Sequence, residues 1–149
     1  FDCRVERRQL GHAEVVKRAF AELRDVIMRS AIVTGEPEEQ LSSVVGGLLD
    51  FGRERPGLAC VVLRQLVDPR GTGRDQIATE FGGVIDGLEQ VVSGISRGRL
   101  PEGYPIRSAI LQLMTSYLVR VACGETGERL WRGEQEIQLL ARTLLLGSS

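Results

Sequence analysis

Apolar side chains recur along this chain at intervals of three and four residues, and almost nowhere at intervals of two. Val16, Ala19, Phe20, Leu23, Val26 and Ile27 form the first clear stripe, with Lys17, Arg18, Glu22, Arg24 and Asp25 on the remaining faces. A period near ~3.6 gathers the first set on one side, which predicts an amphipathic helix over 12–33, stopped by Gly35. Ahead of it, Phe1, Val5 and Leu10 read as the end of a helix closed by Gly11. Pro37 predicts the first turn of a second helix, with Glu38 and Glu39 at its positive end. The stripe of that helix is Leu41, Val44, Val45, Leu48 and Leu49, and Arg55–Pro56–Gly57 breaks it. A short apolar helix from Leu58 to Val67 stops before Asp68–Pro69.

Thr72 with Asp75 three residues on resembles a capping box and opens the longest helix, over 74–97. Ile77, Phe81, Val84, Leu88, Val91 and Ile95 step along it by fours and threes, widened by Ile85 and Val92. Gly82, Gly83, Gly87 and Gly94 each cost this helix roughly 1 kcal/mol against alanine. Their presence predicts either a closely packed neighbour or room for a guest. After a loop with Pro101 and Gly103, Pro105 starts a helix to Cys123 that is apolar on two sides. One side carries Ile106, Ile110, Leu113 and Tyr117; the other carries Leu111, Met114, Leu118 and Val121. A helix of that kind needs two packing partners. Gly124–Gly127 reads as a loop, Trp131 as a packing anchor, and 134–146 as the last helix, ended by Gly147. No segment alternates convincingly, and Val61–Val62–Leu63 reads as helix. The expected fold is all-α: one domain over 1–149, a bundle of about six helices.

Composition narrows the function classes. Apolar residues make up 42% and charged residues 26%, so a core can form without a metal or a disulfide. No apolar run reaches the ~18 residues of a membrane span, and no secretory signal opens the chain, which together predict a soluble, cytoplasmic protein with no membrane partner. A net charge of −1 offers no field for a phosphate backbone, and Arg4, Arg7 and Arg8 read as a solvated face. Cys3, Cys60 and Cys123 are odd in number and scattered, which predicts reduced thiols, with Cys60 and Cys123 as small hydrophobes. Together with the single His12 they give no metal site, and no cofactor motif is complete. Gly71-Thr72-Gly73 lacks the third glycine of a dinucleotide fingerprint and follows no strand. Gly94-Ile95-Ser96-Arg97-Gly98 matches G-x-S-x-G formally, but its serine ends a helix instead of sitting on a strand-to-helix elbow. No catalytic residue is assigned, and a non-enzyme is expected.

The order of the pieces carries a resemblance. Leu48-Leu49-Asp50-Phe51-Gly52-Arg53-Glu54-Arg55-Pro56-Gly57-Leu58, followed by Val62-Leu63-Arg64-Gln65-Leu66, resembles the passage from helix through E-x-P to short helix of TetR-family transcriptional regulators. The long helix ending in Gly94-Ile95-Ser96-Arg97-Gly98-Arg99-Leu100 is similar to the glycine-flanked turn that closes a long helix in that family. So is the close of the chain, with Leu130-Trp131 and Leu139-Leu140 through Leu144-Leu145-Leu146-Gly147. The likeness covers about 12–147 and is to the C-terminal effector-binding and dimerisation domain. The helix-turn-helix head would lie upstream of Phe1.

The resemblance implies a homodimer in which helices 105–123 and 134–146 pair with their copies as a four-helix interface. Ile110, Leu113, Ile137, Leu140, Ala141 and Leu144 are its expected contacts. It also implies a small apolar effector in a pocket walled by Phe51, Cys60, Phe81, Ile85, Leu88, Met114 and Tyr117. Effector binding would then set the spacing of the DNA-binding heads, so that operator DNA is reached only through that N-terminal domain and repression is relieved. The alternatives are a ligand-free helical dimerisation or adaptor module, distinguished by a filled core, and a helical enzyme, distinguished by turnover lost on replacing Ser96 or His12.

Overall fold

The computed structural model describes residues 12–32, 34–68 and 74–147, and these are helical throughout their ordered elements, with no strand among them. Among these described residues seven helices follow one another: α1 (His12–Ala31), α2 (Pro37–Glu54), α3 (Pro56–Val67), α4 (Arg74–Ile95), α5 (Ile106–Ala122), α6 (Glu125–Leu130) and α7 (Glu134–Leu146). The expectations for residues 1–11, for Cys3, for the Thr72 cap and for Gly71-Thr72-Gly73 lie outside the described residues, as does the side chain of His12.

Two elements differ from the pattern read in the sequence. Helix α3 begins at Pro56, not Leu58, and only Arg55 separates it from α2. Proline lacks an N–H that the first turn leaves unpaired anyway, so Pro56 starts a helix here as Pro37 does. The segment read as a loop from Gly124 contains α6, a turn and a half too short to show a period. Gly127 lets it fold back onto α5, because a Cβ there would sit 2.1 Å from the Arg120 carbonyl oxygen.

The stripe of every long helix turns inward. Val16, Phe20, Leu23 and Ile27 of α1, Leu41, Val44 and Leu49 of α2, and Ile77, Val84, Ile85 and Leu88 of α4 form one continuous core. Helix α2 lies centrally, touching α1, α3, α4, α5 and α7. Phe20 and Phe81 meet edge to face at 6.3 Å and join α1 to α4. Ion pairs tie the rims: Arg24 to Glu80 (3.0 Å), Arg99 to Glu38 (2.6 Å), and Arg107 to Asp86 (2.6 Å) and Glu89 (3.2 Å). These pairs are open to solvent, which screens them, so the core decides stability.

The glycines of α4 have neither of their expected roles. A Cβ built at Gly82, Gly83, Gly87 or Gly94 meets nothing within 4 Å. They face away from the core that Ile77, Val84 and Leu88 enter, so they neither seat a neighbouring helix nor make room inside the bundle.

Candidate functional site

Helix α5 places its apolar side chains where three spaces meet. The first space is a cavity of about 50 Å³ between α2, α4, α5 and α7, walled by Val44, Leu88, Val92, Ile110, Met114 and Tyr117 among others. The second, also about 50 Å³, lies between α1, α2, α3, α4 and α5 and is walled by Phe20, Phe51, Leu58, Phe81, Met114, Tyr117 and Val121 among others. Both are apolar because the stripes of at least four helices converge on them. The third is an open groove of about 330 Å³ along α5 and α7, which Trp131 and Arg132 close at one end.

Tyr117 borders all three spaces. Its ring lies against the backbone of α2 at Gly52, where an added Cβ would come within 2.5 Å of the ring. Its hydroxyl donates to the Leu49 carbonyl oxygen at 2.9 Å. Burial is the largest influence on this phenol and, with Glu134 nearby, pushes its pKa up to about 12. The unfolded phenol ionises near ~10, so the native state resists an ionisation that the unfolded state accepts. Stability contributed by Tyr117 is therefore complete below about pH 10 and is lost as pH rises from about 10 toward 12. Denaturant titrations across that range are expected to show a falling midpoint, and Tyr117→Phe should flatten the fall. An equally steep fall in the variant would assign it to other groups.

The residues expected to wall a pocket divide into three sets. Leu88, Met114 and Tyr117 line the first cavity, and Phe51, Phe81, Met114 and Tyr117 line the second. Ile85 is buried in the core but lines neither cavity, and the same holds for Cys60. Cys60 is disulfide-bonded, which corrects the expectation of a reduced thiol; Cys123 is free and exposed. Pairing depends on proximity in the fold, which the spacing of three scattered cysteines does not encode. Leu48 of α2, which no sequence argument singled out, borders both cavities.

The residues expected at a dimer face also separate. Leu113, Ile137, Leu140 and Leu144 line the α5–α7 groove, and Leu140 is 53% exposed. Ile110 and Ala141 instead lie inside the chain's own core, at 3% and 1% exposure, on the inward turns of α5 and α7. Both apolar sides of α5 thus find partners within the chain. What remains outward is the strip between them, from Gln112 and Leu113 to Ser116 and Arg120.

At the Trp131 end of the groove, Arg120 presents a buried Nη1 with no hydrogen-bond acceptor among the described residues. A buried donor left unpaired costs on the order of 1–3 kcal/mol. Ser96, the formal nucleophile, is 4% exposed, and its hydroxyl donates to the Val92 carbonyl oxygen at 2.8 Å, one turn back along α4. Among the described residues no group of three or more metal-ligating side chains occurs and no helix is long and apolar enough to cross a membrane.

Set against known proteins, the chain matches no family model, no curated protein and no solved structure.

Proposed function

We propose that the chain is the ligand-responsive, homodimerising regulatory domain of a TetR-like transcriptional repressor. The observation that carries this reading is the position of Tyr117, one rigidly held side chain that borders two small apolar spaces between the helices and the α5–α7 groove. A molecule entering the cavities presses on the same residue that shapes the groove. If a second copy packs in that groove, ligand and dimer geometry are coupled through a single contact, and differential binding to two dimer geometries moves DNA-binding heads carried elsewhere in the protein.

An exposed apolar face supports the dimer. Leu139 and Leu140 are 59% and 53% exposed, side by side on α7, and Leu113, Ile137 and Leu144 continue that apolar surface into the groove. Leu140→Glu puts a charge at this face without entering the protomer core, because Leu140 already meets solvent. Sedimentation is expected to show a dimer for the native chain and a folded monomer for the variant. A native chain that sediments as a monomer at micromolar concentration removes the dimer from the proposal.

The disulfide at Cys60 favours a second reading, a helical dimerisation or adaptor module in an oxidising compartment. Thermal shift of the isolated chain with apolar compounds separates the two. A rise in Tm favours the regulator, and no rise with any of them favours the adaptor.

A further inference from the structure

The α5–α7 groove, at about 330 Å³, is more than twice the ~150 Å³ in which an apolar cavity holds benzene, and its walls are sorted by polarity. Tyr104, just ahead of α5, donates its hydroxyl to the Leu144 carbonyl oxygen near the end of α7. The start of one helix therefore lies beside the end of the other. This antiparallel course puts Leu113 toward Leu140 and Leu144, and Arg120 toward Arg132. About two turns of helix, or ~10 Å, separate Leu113 from Arg120. One end of the groove is thus apolar and the other polar.

The polar end carries positive charge. Its guanidiniums belong to Arg120 and Arg132, with Trp131 between them in the chain. The ion pairs of the described residues use other arginines: Arg24, Arg53, Arg55, Arg99 and Arg107. Glu136 is the one carboxylate among the described wall residues, so two guanidiniums face one acid. Glu134, two residues before it, is not in the wall and is paired with Arg53. Because the groove is open, an anion at this end keeps part of its water while it gains a charged hydrogen-bond donor. Arg132 is exposed and free to turn toward it.

We infer that the groove binds a small amphipathic carboxylate, with its head against Arg132 and Arg120 and its apolar body along Ile137, Leu140 and Leu113. A neutral molecule would leave the guanidiniums unused, and an inorganic anion would leave the apolar floor in water. This goes beyond the regulator reading: it needs neither the two small apolar spaces nor a second copy.

Trp131 is the only tryptophan of the chain, so its fluorescence reports from the groove. Decanoate, decanol and decyltrimethylammonium share a ten-carbon chain and differ in the charge of the head. Titrated into the intact chain, decanoate is expected to change the Trp131 emission saturably. Decanol is expected to bind about tenfold more weakly, for want of the charged hydrogen bond. Decyltrimethylammonium should give no saturable change. Arg132→Gln, at an exposed position, is expected to keep the native helix content and to cut the preference for decanoate over decanol to about twofold. The titrations are run at several protein concentrations, since a second copy on the same floor would compete with the probe. No saturable response to decanoate at any of them overturns the inference. Equal affinity for decanoate and decanol also overturns it, leaving an apolar groove without an anion site. So does a preference undiminished in both Arg132→Gln and Arg120→Gln. None of these outcomes touches the dimer, which sedimentation tests separately.

Discussion

Replacing Gly127 by alanine is expected to lower the unfolding free energy by about 3 kcal/mol, the upper end of what overpacking costs. The new methyl would lie 2.1 Å from the Arg120 carbonyl oxygen and 2.9 Å from its carbonyl carbon. Both are backbone atoms near the end of α5, so no side chain can swing away to relieve the contact. Either α6 lifts from α5 or the last turn of α5 unwinds. In both cases Trp131, which directly follows α6, loses its position at the end of the groove. In a domain of this size the loss corresponds to a fall in Tm of roughly 10 °C. Gly94→Ala is the control, because its methyl meets nothing and adds helix propensity, for a gain of up to about 1 kcal/mol. Chemical denaturation of the two variants in parallel checks both signs. A Gly127 variant as stable as the native chain would mean that α6 does not sit against α5 as described.

The second large effect concerns Tyr117 and Gly52. Gly52→Ala places a methyl 2.5 Å from the edge of the Tyr117 ring and 2.7 Å from its hydroxyl oxygen, so the ring must leave α2 and its bond to Leu49 must break. A cost of about 2 kcal/mol is expected from the displaced packing and the lost hydrogen bond together. Tyr117→Leu removes the ring and is expected to cost a similar amount. The two costs arise from one contact, so they should not add. The double variant is expected to be only slightly less stable than the worse single variant, with a coupling above about 1 kcal/mol in a double-mutant cycle. Additive losses would separate the two residues and remove Tyr117 as the fixed wall between cavities and groove.

How much of this was legible in the sequence depends on the range of the interaction. The long helices were readable because apolar periodicity is a local signal repeated many times. Val16 through Ile27 and Ile77 through Ile95 each give several turns of agreement, and their stripes form the core. Helix α6 was not readable, since six residues hold too few turns for a period, and what fixes it is the space at Gly127 beside a residue seven positions earlier. The α4 glycines misled for the converse reason. Glycine in a helix suggests contact or space, yet only the neighbour, absent from the local pattern, decides which glycine is needed. Close approach occurs at Gly52 and Gly127 instead.

The site was legible in part. Helical position pointed to Phe51, Phe81, Leu88, Met114 and Tyr117 as inward-facing, and convergence of several helices does bring them to cavities. It could not separate wall from solid core, so Ile85 was grouped with them, although at 1% exposure it is packed on all sides away from either space. Nor could it tell that both apolar sides of α5 find partners within the chain, since that depends on how far α7 and α3 wrap around it. Ile110 of α5 and Ala141 of α7 are buried for that reason.

The shared wall at position 117 also sets how freely this protein can be retuned by mutation. Any change there alters the lining of both apolar cavities and of the outer groove at once. Val92 and Phe81 each border only one of the two apolar spaces and not the groove, so a change at either leaves the linings of the other spaces as they are. Tyr117 has no such freedom, and through its contact with Gly52 the two positions are constrained as a pair.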